Sequence, residues 1–419
     1  MSRIPRDRSF DSTLALLLDP YGFISKRCRR YGADLFQTRL LLRPTICMTG
    51  PEAAELFYRQ DLFARSGAAP GRVQKTLFGQ GGVQGLDGEA HRHRKQMFMS
   101  LMTPERIEAL KELTAEWWRT YAQKWTTMDR VILYDEVQEL LTRAVCAWVG
   151  VPLPEAEAGR RAAELTALFD YAGSVGPKHW WSRLSRRRCE SWIEGIVEQI
   201  RAGDLSPPEG SAARVIATWR DQNGALLSPR IAAVELLNIL RPTVAVAVFI
   251  VFAAHALHGF PACRPKLQTG DEYPELFVQE IRRLYPFFPA VMARTRHNFE
   301  WNGYRFPRGR RVMLDLYGTN RDARAWDAPE EFRPDRFRSW DGSPFNFIPQ
   351  GGGDHHMNHR CPGEWMTIEL MKLSCRFLAA SIEYDLPDQD LRIDITRLPA
   401  IPKSRFVMSN LRYAIGGAS

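Results

Sequence analysis

Residues 229–258 most constrain this chain: they form one long helical pattern, and its stretch 244–254 is wholly apolar. That stretch is far short of the ~20 apolar residues a bilayer-spanning helix needs, and Arg241 and Pro242 stand just before it. It reads as a helix buried inside a soluble protein. Apolar residues at three- and four-residue spacing recur over 104–125, 140–149, 160–169, 190–202, 275–285 and 364–382. Strand signals are few: 40–48, 311–316, and 299–306, which Asn302-Gly303 breaks as a hairpin turn. The expected fold is mainly α with a minor β part. No repeat, low-complexity tract or Gly/Ser linker divides the chain, so residues 1–419 are read as a single domain.

Composition narrows function by exclusion. Hydrophobic residues at 45% and charged residues at 25% suit a soluble globular protein. The charged N-terminus is followed by no apolar h-region, so neither a secretory signal nor a transmembrane segment is expected. Seven scattered cysteines (28, 47, 146, 189, 263, 361, 375) without a CxxC read as reduced thiols in a cytoplasmic protein. The net charge of +9 includes basic runs at 183–188 and 308–311, which read as solvated faces. No zinc-finger, RRM or basic-zipper pattern accompanies them, so no nucleic-acid partner is expected. A basic surface does favour the approach of anionic ligands.

Chemistry concentrates in 345–364, where Gly351-Gly352-Gly353 leads to Cys361, then Pro362-Gly363 and a long amphipathic helix. Glycines let backbone approach a flat ligand closely. A cysteine just before a helix N-terminus is biased towards thiolate, which is what axial ligation of a haem iron requires. Two other readings stand at this point. One is an ordinary buried cysteine beside a glycine-rich loop. The other is a zinc site from His355, His356, His359 and Cys361, although this needs helical geometry through three glycines. Upstream, Glu280-Ile-Arg-Arg283 forms an ExxR on a helix, a spacing that Glu116/Arg119, Glu157/Arg160 and Glu198/Arg201 share as plain surface pairs. Between the ExxR and the cysteine loop lies Phe332-Arg-Pro-Asp-Arg-Phe337.

That order, helix ExxR, then Pro334-x-Arg336-Phe337, then the cysteine loop, resembles the cytochromes P450. The resemblance implies a single triangular-prism-like P450 domain and haem b held by Cys361 as the axial iron ligand. It also implies a buried ion network of Glu280, Arg283 and Arg336 supporting the loop. Two departures from the family pattern stand out. Asp354 and Met357 replace the usual Phe and Gly of the loop. The long helix has Asn238-Ile-Leu-Arg241-Pro242-Thr-Val-Ala where most P450s place an acid and a threonine for proton delivery. An unpaired buried Arg241 is very costly. It must reach water, pair with an internal acid such as Glu235, or take an anionic substrate. Pro242 removes a helical N–H and is expected to kink the helix there.

With Arg241-Pro242, Gln350–Asp354, His359–Glu364, Phe277–Arg283, Asp315–Asn320, Cys47–Gly50, Arg72–Gly79 and Pro402–Ser409, the chain is similar along its whole length to P450 peroxygenases that act on fatty acids. This implies hydrogen peroxide as oxidant, no obligatory redox partner, and a long-chain fatty acid whose carboxylate pairs with Arg241. That carboxylate would act as general acid–base, and the α and β carbons would be hydroxylated because they are held nearest the haem. At Gln84, decarboxylating members carry His and hydroxylating members carry Gln, so hydroxylation is expected over decarboxylation to terminal alkenes. The resemblance further implies an acyl channel of Phe78, Phe169, Ala172, Phe287 and Phe288, and haem-propionate partners Arg65, His91 and Lys95. The competing functions are an O2/NADPH-dependent monooxygenase with redox partners and a non-catalytic haem or fatty-acid binding protein.

Overall fold

A computed structural model describes residues 3–414 of the chain. The long apolar pattern forms one helix, Pro229–Gly259. Ser228 caps it by accepting from the Ile231 N–H (3.3 Å), and Pro229 takes the first turn, where its missing N–H costs nothing. The helix is apolar on every side, so it must be surrounded. Helices Leu133–Val149, Pro177–Ala202, Ala158–Asp170 and Glu364–Arg376 pack around it. Among the described residues it is the one helix long and apolar enough to cross a membrane, yet 94% of its most apolar stretch is buried within the fold. The helix runs unbroken through Pro242.

The largest of three sheets among the described residues is five-stranded. Its order is Leu35–Leu40, Arg43–Met48, Arg311–Asp315, Ala290–Thr295, Phe63–Ala64, with only the Arg43–Met48 and Arg311–Asp315 pair parallel. The strand expected over 40–48 is instead a hairpin, because Leu41 and Leu42 turn the chain with φ of 52° and 60°. The Asn302-Gly303 turn joins Phe299–Trp301 to Tyr304–Phe306 as expected.

Several helix limits also move. The pattern at 190–202 begins at Pro177, that at 140–149 begins at Leu133, and that at 364–382 ends at Arg376. A wide turn, Phe377–Ser381, and a strand, Ile382–Asp385, follow the last of these. The basic runs are not wholly solvated faces, since Arg186 and Arg311 are buried. All seven cysteines are free thiols; six are buried and Cys361 is half-buried.

Candidate active site

The cysteine loop is held at both ends. The Cys361 N–H donates to the Gln350 carbonyl (3.0 Å), and Gly363 leads into helix Glu364–Arg376. Gly352 has no room for a side chain, because a Cβ there would lie 2.6 Å from both Ile348 Cγ2 and the Pro344 carbonyl. Glu364 sits buried beneath the loop and accepts from Arg282, from Arg360 Nε (2.6 Å) and from His355 Nε2 (2.9 Å). Burial pushes its carboxyl up, but Arg282, His355 and Arg360 outweigh this and hold it well below the usual carboxylate range. Arg282 also donates to Gln350 Oε1 (3.2 Å), so one buried arginine ties the start of the loop to its end. Reading the sequence singled out Arg283 and passed over Arg282. The signal was present in the doubled arginine and in an acid three residues after the cysteine.

The Glu280 network lies one layer further out. Glu280 accepts from Arg283 Nε (2.7 Å) and Nη2 (2.8 Å), from Arg336 Nε (3.2 Å) and from the Arg333 N–H (2.8 Å). Arg283 donates on to the Asn320 carbonyl (3.2 Å), while Asn320 Oδ1 accepts from the Ile348 N–H (2.7 Å) at the head of the loop. Glu280 and Arg283 are wholly buried, unlike the half-exposed pair Glu157/Arg160 of the same spacing.

Above Cys361 lies a cavity of about 280 Å³. Gly351, Cys361 and Pro362 line one side, and Pro242, Ala245 and Val246 of the central helix line another. Phe78, Gln84, Phe169, Phe287, Phe288 and Arg241 also face it. Ala172 is buried but does not line it; it follows the end of helix Ala158–Asp170, where the chain turns away. Arg241 is only 6% exposed, and its Nη1 donates to the Leu77 carbonyl and to Asn238 Oδ1 (3.2 Å). Glu235 is not its partner. That carboxylate is engaged by Arg94 Nη1 (2.6 Å) and Asn238 Nδ2 (2.9 Å). Burial, and then the nearby Arg186, push the Arg241 guanidinium down to about 9, so it stays charged at neutral pH. Among the described residues no carboxylate pairs with it. Asn238 Nδ2 also reaches Gln84 Oε1 (3.2 Å), joining the two polar groups of the cavity.

At another edge His91 stacks on His359 (ring centroids 3.8 Å apart), and Lys95 Nζ donates to the carbonyls of Asn358 (3.3 Å) and Arg360. His91 and Lys95 line the main cavity, whereas Arg65 faces an adjoining smaller one with His91 and His359. Burial disfavours the cations here, taking His91 down to about 4 and Lys95 to about 8. Carboxylates brought to this edge would reverse that. The zinc grouping does not assemble: His355 stacks on Trp365 while His359 stacks on His91, and no cluster of three metal-binding side chains occurs among the described residues.

A cysteine at the head of a helix, an apolar slot facing it and a cationic edge are the three features a haem needs from a protein. The residues present fit that group, and they define a haem-thiolate protein. Residues 272–401 match the cytochrome P450 family model. Cytochrome P450SP alpha (CYP152B1), solved in complex with (R)-ibuprophen, is 59% identical over 96% of this chain and 99% of that one, with a TM-score of 0.95. Cytochrome P450EX alpha (CYP152N1) with myristic acid is 43% identical, covers 99% and 100%, and has a TM-score of 0.96. A single-residue variant of cytochrome P450 OleT in complex with arachidonic acid is 38% identical over the whole of both chains, with a TM-score of 0.97. The chain belongs to the cytochromes P450, in their fatty-acid peroxygenase branch.

Proposed function

We propose that the protein, acting as a single domain in the cytoplasm, uses hydrogen peroxide to hydroxylate long-chain fatty acids at the α or β carbon, without a redox partner. The observation that carries this is Arg241, a buried cation in the wall of the Cys361 cavity whose nearest internal acid, Glu235, is already paired with Arg94. Bound haem b supplies peroxide activation, which thiolate donation from Cys361 favours.

The chain's own residues do the rest. Arg241 offers a fork of donors suited to a carboxylate, held in place through Asn238 and the Leu77 carbonyl. Among the described residues no carboxylic acid lines the cavity, so the substrate carboxylate on Arg241 is the group positioned to take up and return a proton. Phe78, Phe169, Phe287 and Phe288 give an apolar wall for the acyl chain and exclude water along it. A head group fixed at Arg241 places the first carbons of the chain nearest the Cys361 side, so position selects the carbon attacked. Gln84, held by Asn238, has no acidic proton to give, which favours hydroxylation over loss of the carboxyl group. EX alpha with myristic acid and OleT with arachidonic acid support a fatty-acid ligand of this class.

The test is to incubate haem-loaded protein with myristate and peroxide alone and identify products by mass spectrometry. Hydroxymyristates oxygenated next to the carboxyl group are expected. Product that forms only with NADPH and a reductase system would overturn the reading.

A further inference from the structure

The first turns of helix Pro177–Ala202 are built inside out. His179, Ser182, Ser185 and Arg186 are buried on the inward face, while Trp180 is 68% exposed and Trp181 and Leu184 are 41% exposed on the outward one. Val175, in the loop just before, is 61% exposed. A helix on a water-facing surface carries the opposite pattern. Lys178, Arg187 and Arg188 are exposed at the same end, and the Arg188 guanidinium stands 5.8 Å from the Trp181 ring centroid. No acidic residue occurs between Asp170 and Glu190. Arg188 pairs with Glu164 of the preceding helix (3.7 Å), while Lys178 and Arg187 have no ion-pair partner among the described residues, so the face is aromatic, apolar and net cationic.

Its position ties it to the cavity. The loop that begins it follows helix Ala158–Asp170, whose Phe169 lines the cavity. A side chain at Gly173 would touch Leu398, whose neighbour Pro399 also lines the cavity. A second exposed apolar cluster reaches the same wall from the N-terminus. Helix Thr13–Leu18 buries none of its residues, and Phe10, Leu14, Leu17 and Leu18 are exposed together with Leu41 and Leu42 of the hairpin turn. The Leu41 and Leu42 N–H groups donate to Thr13 Oγ1 and Asp11 Oδ2, both at 2.6 Å, which joins turn and helix into one surface. Just beyond that helix, Tyr21 accepts from the Ala400 N–H (2.9 Å) and donates to the carbonyl of cavity-lining Phe287 (3.0 Å).

We propose that this end of the molecule docks reversibly on an anionic lipid bilayer, so that fatty acid enters the cavity from the membrane. Tryptophan and basic residues are the side chains that settle at a headgroup boundary, and their positive charge complements anionic lipid. The delivery role rests on the fatty-acid reading above, whereas the docking does not.

Full-length haem-loaded protein is sedimented with vesicles of phosphatidylcholine alone or mixed with phosphatidylglycerol. Binding to the anionic vesicles is expected to be about tenfold stronger and to weaken in about 0.5 M salt. The double variant Trp180→Ser, Trp181→Ser should lose about tenfold of that binding with an unchanged thermal midpoint. It should still oxidise free fatty acid while turning over vesicle-held acid more slowly. Vesicle binding without any fatty-acid turnover would leave docking in place and remove the peroxygenase reading. Wild-type protein that stays in the supernatant, or a variant that sediments equally, would overturn the proposal. So would a tryptophan-dependent dimer without vesicle binding, which would assign the face to a second copy of the chain.

Discussion

Replacing Arg241 by alanine separates two kinds of buried charge by the sign of their effects. If Arg241 were a strut, removing one partner of a buried pair would cost about 3–5 kcal/mol of stability. The structure gives it no such partner: its contacts are a backbone carbonyl and an amide oxygen. Burial has pushed the guanidinium well below its ordinary value, down to about 9. The sign follows from that direction. A base with a depressed folded pKa is disfavoured in its charged form, so at neutral pH this cation opposes folding. Arg241→Ala relieves that cost, which offsets the two lost hydrogen bonds and the cavity left behind. The thermal midpoint is therefore expected to hold or rise. Ligand binding should move the other way, because truncating one side of a buried charge pair costs about 2–5 kcal/mol, or about 30-fold to a few thousand-fold in Kd. Titrating haem-loaded protein with myristate while following the Soret band gives Kd, and a melting curve on the same sample gives stability. A large stability loss with Kd within about threefold of wild type would refute the reasoning.

Other outcomes follow from neighbouring features. Glu280→Gln leaves Arg283 and Arg336 buried without their anion, and about 3–5 kcal/mol of stability should go, read as a lower urea midpoint and weaker haem retention. Gln84→His places an imidazole in the cavity, and the ratio of terminal alkene to hydroxy acid, measured by gas chromatography, should rise. Asp315 is raised to about 7, chiefly by burial. Between about pH 4 and 7 the folded carboxyl therefore binds more protons than the unfolded one, so stability falls as pH rises through that window, by at most about 1.4 kcal/mol per pH unit. Urea midpoints at pH 5.5 and 8 should show this slope, and Asp315→Asn should flatten it.

Much of the site was legible because its residues advertise their constraints. The cysteine loop needs glycines, the central helix needs an unbroken apolar sequence, and an arginine within that helix demands a reason. The pattern at Pro104–Trp125 also read true, since one face meets the core and the other meets water. What escaped depends on partners distant in sequence. Leu41 and Leu42 look like strand residues, and only their positive φ reveals a turn. Arg282 and Arg283 are indistinguishable in the sequence, yet one faces Glu364 and the other Glu280. Nothing local shows that Glu235 belongs to Arg94, 141 residues away, and not to Arg241.

That last pairing has a consequence for safety. A protein that activates peroxide at all times would oxidise itself. Here Glu235, the acid beside the Arg241 site, is held by Arg94, and among the described residues no carboxylic acid lines the cavity, so on the proposed function that group would arrive only with the substrate. On the proposed function the substrate would be a part of the machine as well as its workpiece, and the Arg94–Glu235 pair is what keeps the neighbouring internal acid from taking the substrate's place on Arg241.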